Sequence, residues 1–203
     1  MSEPTGQVHS DAVGSRIGMW LFLLTELLLF GGLFLLYSVY RAKNPQAFHQ
    51  GASHLSVFMG TLNTLVLLTS SLTAACSITA IRRRNTAGGV LLLMATILLA
   101  LVFLINKYFE WGEKIGHGIY PGSAHMTELP GGAQIFYALY YAMTGLHGLH
   151  VIIGMAVLGF VMDRILRGAV HGKKYIWLEN GALYWHLVDV IWIYLFPLFY
   201  LIT

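Results

Sequence analysis

Five long apolar runs divide the chain, at residues 17–40, 57–81, 88–109, 133–162 and 182–202. Each is long enough for a helix to cross the roughly 30 Å of a bilayer's hydrocarbon at about 1.5 Å per residue. A membrane barrel would instead alternate apolar and polar positions over strands of about ten residues. The runs do not alternate in that way, and a backbone in lipid must satisfy its own hydrogen bonds. The pattern therefore predicts an all-α fold, an integral membrane bundle of five transmembrane helices. Turn-forming and charged residues separate the runs: Asn44 and Pro45, then Arg82 to Asn85, then residues 168–174. The longest connection, residues 112–132, carries Gly116, Gly118, Pro121, Gly122, Pro130, Gly131 and Gly132. These predict turns and no sixth element. With no internal repeat or linker, residues 1–203 are expected to form a single membrane domain.

Composition strengthens the membrane reading. Hydrophobic residues make up 57% of the chain and charged residues 10%, against about 25% charged in ordinary soluble domains. The mean hydropathy is +0.67. A net charge of +3 would suit nucleic acid only if the basic residues shared a surface, and here they flank the apolar runs, so no nucleic-acid partner is expected. Arg16, Arg82, Arg83, Arg84, Arg164, Arg167, Lys173 and Lys174 lie on one side of the membrane, against Arg41, Lys43, Lys107 and Lys114 on the other. The positive-inside tendency then puts the N-terminus in the cytoplasm. The polar opening lacks the basic-then-apolar order of a secretory signal, so the first run is expected to direct insertion. Cys76, the sole cysteine, excludes an internal disulfide and reads as a small apolar helix residue.

Several polar residues sit where lipid disfavours them. A charge near the bilayer centre costs about 2.5–3.5 kcal/mol on insertion scales, so such a residue usually faces protein, a partner charge or a water path. Glu26 lies about ten residues into the first run and is expected to anchor that helix to a neighbour. His147 and His150, three apart, share a helical face, as do Lys107 and Glu110, which are spaced so that they could pair. Glu179, His186 and Asp189 would form one broad stripe on the last helix. A di-iron bundle needs Glu-x-x-His twice, whereas the pairs here are His-x-x-His and His-x-x-Asp, so a hydrogen-bonded helix-locking network is expected and no metal site. Ser70, Ala74 and Ser77 form a strip of small residues suited to close helix approach. Trp111, Tyr120, Trp177 and Tyr184 are expected in the interfacial aromatic belts.

Five blocks, GMWLFLLTELLLFGGLF, NTLVLLTSSLT, KYFEWGEKIGHGIYPG, TGLHGLHVIIG and ENGALYWHLVDVIWIYLF, resemble in order and spacing subunit III of the haem-copper respiratory oxidases. The resemblance implies a non-redox structural and lipid-binding subunit. Subunits I and II would be its partners and would carry the haem and copper, leaving no such cofactor here. Bound phospholipid and membrane lipid contact are also implied, with support of oxygen reduction and proton uptake by subunit I. Glu110 matches the Glu of the family's Glu-Tyr motif, with Trp111 in place of Tyr. His147 and His150 match its His-Gly-Leu-His motif. Glu179, Trp185, His186 and Asp189 match the final Glu and Trp-His-Phe-Val-Asp pattern, with Leu187 for Phe. The roles implied are architecture or lipid contact, and none is catalytic. Longer members have seven spans, so this chain resembles the shorter bacterial form of quinol and some cytochrome c oxidases, expected in the bacterial cytoplasmic (inner) membrane. A carboxylate that many members carry early in the second of these spans is replaced, with Val57 or Asn63 near its place.

Three other functions compete with this reading. The same short architecture occurs in accessory proteins of nitric oxide reductases. A stand-alone ion or proton transporter would use Glu26, Glu110 and the histidines as a relay, although no inverted repeat is evident. A membrane metalloenzyme would require a ligand set that the spacing does not supply.

Overall fold

The computed structural model describes residues 5–168 and 175–202, with side chains from residue 13 onward. The elements are α1 (Thr5–Lys43), α2 (Pro45–Ser53), α3 (Val57–Arg82), α4 (Thr86–Gly116), α5 (Ala124–Glu128), α6 (Gly131–Leu166) and α7 (Ile176–Tyr200). Strands are absent among the described residues. Five helices, α1 from Val13 onward and α3, α4, α6 and α7, are long and apolar enough to span a membrane.

The helices outrun the apolar segments that announce them. Hydropathy marks the hydrocarbon layer, whereas helical hydrogen bonding continues through the headgroup region, so α4 runs on to Gly116 and α7 starts at Ile176. The connections also differ from expectation. Residues 112–132 contain α5, and a second short helix, α2, follows the first span. Local capping explains both. The Ser123 hydroxyl accepts from the Met126 amide at 3.0 Å to start α5. Pro45 disfavours helical geometry at Asn44, ending α1, and then occupies the first turn of α2, where its missing N–H is harmless. Of the expected connection at residues 168–174, all but Gly168 lies outside the described residues, as do Lys173 and Lys174.

Helix ends are explicit in the sequence. Ser56 and Asn85 cap α3 and α4 by accepting from the Met59 amide at 3.3 Å and the Gly88 amide at 2.9 Å. At the end of α4, Gly118 adopts φ 73°, the Ile119 amide reaches back to the Lys114 carbonyl, and the Gly118 amide to that of Ile115. That paired closure needs a left-handed residue, which glycine supplies without strain. After α3 the same closure is made by Arg84, at φ 61°.

α7 is the centre of the bundle. Half of its apolar window is buried, against 11% for α1, and it packs on α1, α2, α3 and α6. Its Trp185 lies on Gly154 of α6, where an added Cβ would come within 2.7 Å of the indole, so only glycine permits this approach. Ser70, Ala74 and Ser77 are fully buried on α3, as expected of a small-residue strip, and α3 lies closely against α4. Of the expected belt, Tyr120 and Trp177 are exposed and Trp111 half-buried. Tyr184 is instead buried, its hydroxyl donating to the His150 carbonyl at 3.3 Å. It points inward from α7, a direction that depth alone does not predict. Cys76 is free and exposed on the outer side of α3.

Candidate functional site

The polar residues of the spans form several separate clasps between helices. In the largest, Lys107 of α4 donates to Glu110 Oε2 at 3.2 Å, to the Tyr140 hydroxyl of α6 at 3.0 Å and to the Tyr200 hydroxyl of α7 at 2.9 Å. An ammonium has three N–H donors, and each has a partner. Both phenols donate in turn to Glu110 Oε1, Tyr200 at 2.6 Å and Tyr140 by a short bond. The rings of Tyr140, Trp192 and Tyr200 surround the cation with centroids 5.0–5.6 Å away. The Lys107–Glu110 pair that the spacing allows is thus one edge of a closed four-residue set joining three helices. A buried ion pair offsets its desolvation only with such additional hydrogen bonds.

Glu26 behaves as the expected anchor. Its Oε2 lies 2.8 Å from Nε2 of His150, joining α1 to α6. His150 Nδ1 meets the Leu146 carbonyl at 2.7 Å, and since a carbonyl only accepts, Nδ1 carries a hydrogen. The Glu26–His150 contact therefore holds a single proton, between a carboxyl and a ring nitrogen.

Along α7, Trp185 Nε1 donates to Ser70 Oγ at 3.1 Å, His186 Nδ1 meets Ser71 Oγ at 2.7 Å, and Trp192 Nε1 donates to Thr64 Oγ1 at 3.0 Å. These three bonds lock α7 to α3. Near the membrane surface Glu179 pairs with Arg16 of α1 at 3.1 Å. The three polar residues expected to act as one stripe on α7 are therefore not a unit. Glu179 serves α1, His186 serves α3, and both carboxylate oxygens of the buried Asp189 lack a hydrogen-bond partner among the described residues.

His147 corrects the expected network in the same way. It is fully buried with both ring nitrogens unpartnered among the described residues, edge-on to Phe103 and tilted against Trp192. A three-residue step along a helix leaves two side chains about 60° apart at ~100° per residue, enough to send His150 to α1 and His147 into an aromatic pocket. The donors are thus turned apart. Among the described residues no three His, Cys, Asp or Glu side chains converge as a metal cluster would require.

With this geometry in place, comparison with known proteins is decisive. The family model for cytochrome c oxidase subunit III matches residues 3–203. Cytochrome c oxidase subunit 3 of Thermostichus vulcanus is 33% identical over 188 residues, covering 92% of this chain and 87% of that protein. The same-named protein of Corynebacterium diphtheriae is 30% identical over 188 residues, with the same coverage. The chain belongs to the cytochrome c oxidase subunit III family. A further relative, the heme-copper oxidase subunit I+III of Aeropyrum pernix, is 30% identical over 194 residues, which are 92% of this chain and 22% of that longer protein.

Within this subunit III chain, Glu110, His150, Trp185 and His186 hold helices together, whereas His147 and Asp189 are buried without hydrogen-bond partners among the described residues. Sequence reasoning missed Tyr140 and Tyr200, although a phenol inside an apolar run needs a partner, and Lys107 with Glu110 was the available one. It also missed Asn106, which donates to Asn63 Oδ1 at 2.9 Å, and Thr73 beside Thr96 at 2.7 Å. Asn63 is thus a neutral link between α3 and α4.

Proposed function

We propose that this chain acts as the non-redox subunit III of a haem-copper terminal oxidase, packed against subunits I and II in the cytoplasmic membrane of a bacterium. In this reading haem and copper belong to those partners, the N-terminus faces the cytoplasm, and phospholipid is retained between the helices. The subunit stabilises the complex in which subunit I reduces oxygen and takes up protons. The observation that carries the proposal is the use of Glu26, Lys107, Glu110, His150 and His186 in bonds between helices, while among the described residues no three His, Cys, Asp or Glu side chains converge. Two further facts support it. A relative named as subunit I+III places the two subunits in one polypeptide. The face of α1 that carries Trp20, Leu24, Leu28 and Leu35 is exposed and apolar, suited to lipid or a membrane partner.

Affinity purification of the tagged chain from its native membrane tests the proposal. Subunits I and II should co-purify with haem, copper and oxygen uptake. Recovery with a nitric oxide reductase and no oxygen consumption would overturn it, as would ion flux through the chain alone in liposomes.

A further inference from the structure

The end of the bundle opposite Arg16 holds a cavity of about 380 Å³, lined by His54, Glu113, Lys114, His117, His125 and Tyr137. It lies where the ends of α2 and α4 meet α5 and the start of α6. Lys114 forms its floor. This side chain belongs to a residue only 8% exposed, yet its ammonium makes one hydrogen bond, to the His54 carbonyl at 3.3 Å. Carboxylates within 4 Å of it are absent among the described residues, in contrast to Lys107 two turns earlier on the same face of α4. Two N–H donors of a buried cation are thus left to the cavity, and such a cation requires a counter-charge or solvent.

We propose that this cavity binds a phosphate group, with Lys114 as the charged floor and the imidazoles and the Tyr137 phenol as the rim. Depth and size select that ligand class. The 31 residues of α4 span about 46 Å, the thickness of hydrocarbon plus headgroup layers, so Lys114, two residues from its end, lies at the level of lipid phosphates. A volume of about 380 Å³ is generous for a halide and suits a phosphate with its substituent. His54, His117 and His125 are exposed and able to close over an anion, and Tyr137 is buried along the wall of the same cavity. Glu113 is exposed at the rim and free to turn to solvent, while its carbonyl engages His117 Nδ1 at 2.8 Å. The phosphate has two possible sources, a phospholipid headgroup and the free anion. The inference does not depend on which complex the chain joins.

The test uses the full chain purified in its native complex, in phosphate-free detergent buffer. Bound phosphorus per polypeptide and retained phospholipid by native mass spectrometry are compared for wild type, Lys114→Met, Lys114→Arg and the rim variant His117→Ala/His125→Ala. Inorganic phosphate is then titrated into each sample. Wild type and Lys114→Arg should hold one phosphate-bearing molecule more than Lys114→Met, and the rim variant should bind about tenfold more weakly. An additional retained phospholipid identifies the headgroup source. Saturable binding of inorganic phosphate that depends on Lys114 identifies the free anion. Equal phosphorus in wild type and Lys114→Met, with no such titration, overturns the proposal. If Lys114→Met does not accumulate, the rim variant decides, because its two residues are exposed and their loss leaves the bundle intact.

Discussion

Glu26 and His150, 124 residues apart in sequence, meet at 2.8 Å and join the least buried span, α1, to α6. Because His150 Nδ1 already donates to Leu146, its Nε2 can accept from an amide as well as from a carboxylic acid. Glu26→Gln should therefore keep a hydrogen bond and change thermal stability in detergent little. Glu26→Leu should cost about 1–3 kcal/mol by orphaning the ring nitrogen. The double variant Glu26→Leu/His150→Leu should recover part of that loss, and equal losses for the Gln and Leu variants would refute this assignment.

The Lys107 clasp predicts strong non-additivity. Glu110→Gln leaves a buried ammonium without its counter-charge and should destabilise the chain by roughly 3–5 kcal/mol, the usual cost of breaking a buried pair from one side. Lys107→Met/Glu110→Gln should cost less than the sum of the single changes. A thermal-unfolding double-mutant cycle on the purified complex measures the difference.

Gly154 predicts a steric result. Its Cβ position is occupied by the Trp185 ring, so Gly154→Ala should cost about 1–3 kcal/mol, and Gly154→Leu should prevent α6 and α7 from docking. The amount of full-length chain recovered in the assembled complex reads both effects.

Arg84 predicts a gain. It holds φ 61° at the end of α3, a conformation that costs a side-chain-bearing residue about 1–2 kcal/mol. Arg84→Gly should raise the unfolding midpoint, and an unchanged or lower midpoint would show that the guanidinium itself is needed there.

Cys76 provides a topological probe. It is exposed on α3, six residues before Arg82 and hence about 9 Å along the helix from that charge. In membranes it should react with an apolar maleimide and be slow with a charged, impermeant one. Equal labelling by both reagents would place this face against water.

The apolar runs located every span because lipid imposes a length and a polarity that the chain cannot disguise. The same signal could not locate α2 or α5, whose existence depends on Pro45 and on the Ser123 cap. The Lys107–Glu110 and Glu26 anchors were legible because a charge in an apolar run demands a partner. Their partners were only partly so, since helical spacing fixes which residues share a face but not which helix that face meets. His147 and His150 illustrate the limit: similar in sequence context, His150 is bonded at both nitrogens and His147 at neither among the described residues.

The position of α7 also bears on biogenesis. In chain order it follows the four other spans, so those helices leave the ribosome before the element around which they pack has been made. Until then Ser70 and Thr64 keep only the bonds they donate to carbonyls of their own helix, and the Tyr37 hydroxyl lacks the Leu198 carbonyl of α7. Completion of the fold is therefore a late event, and translation stalled before α7 should yield an inserted chain that membrane quality control can recognise.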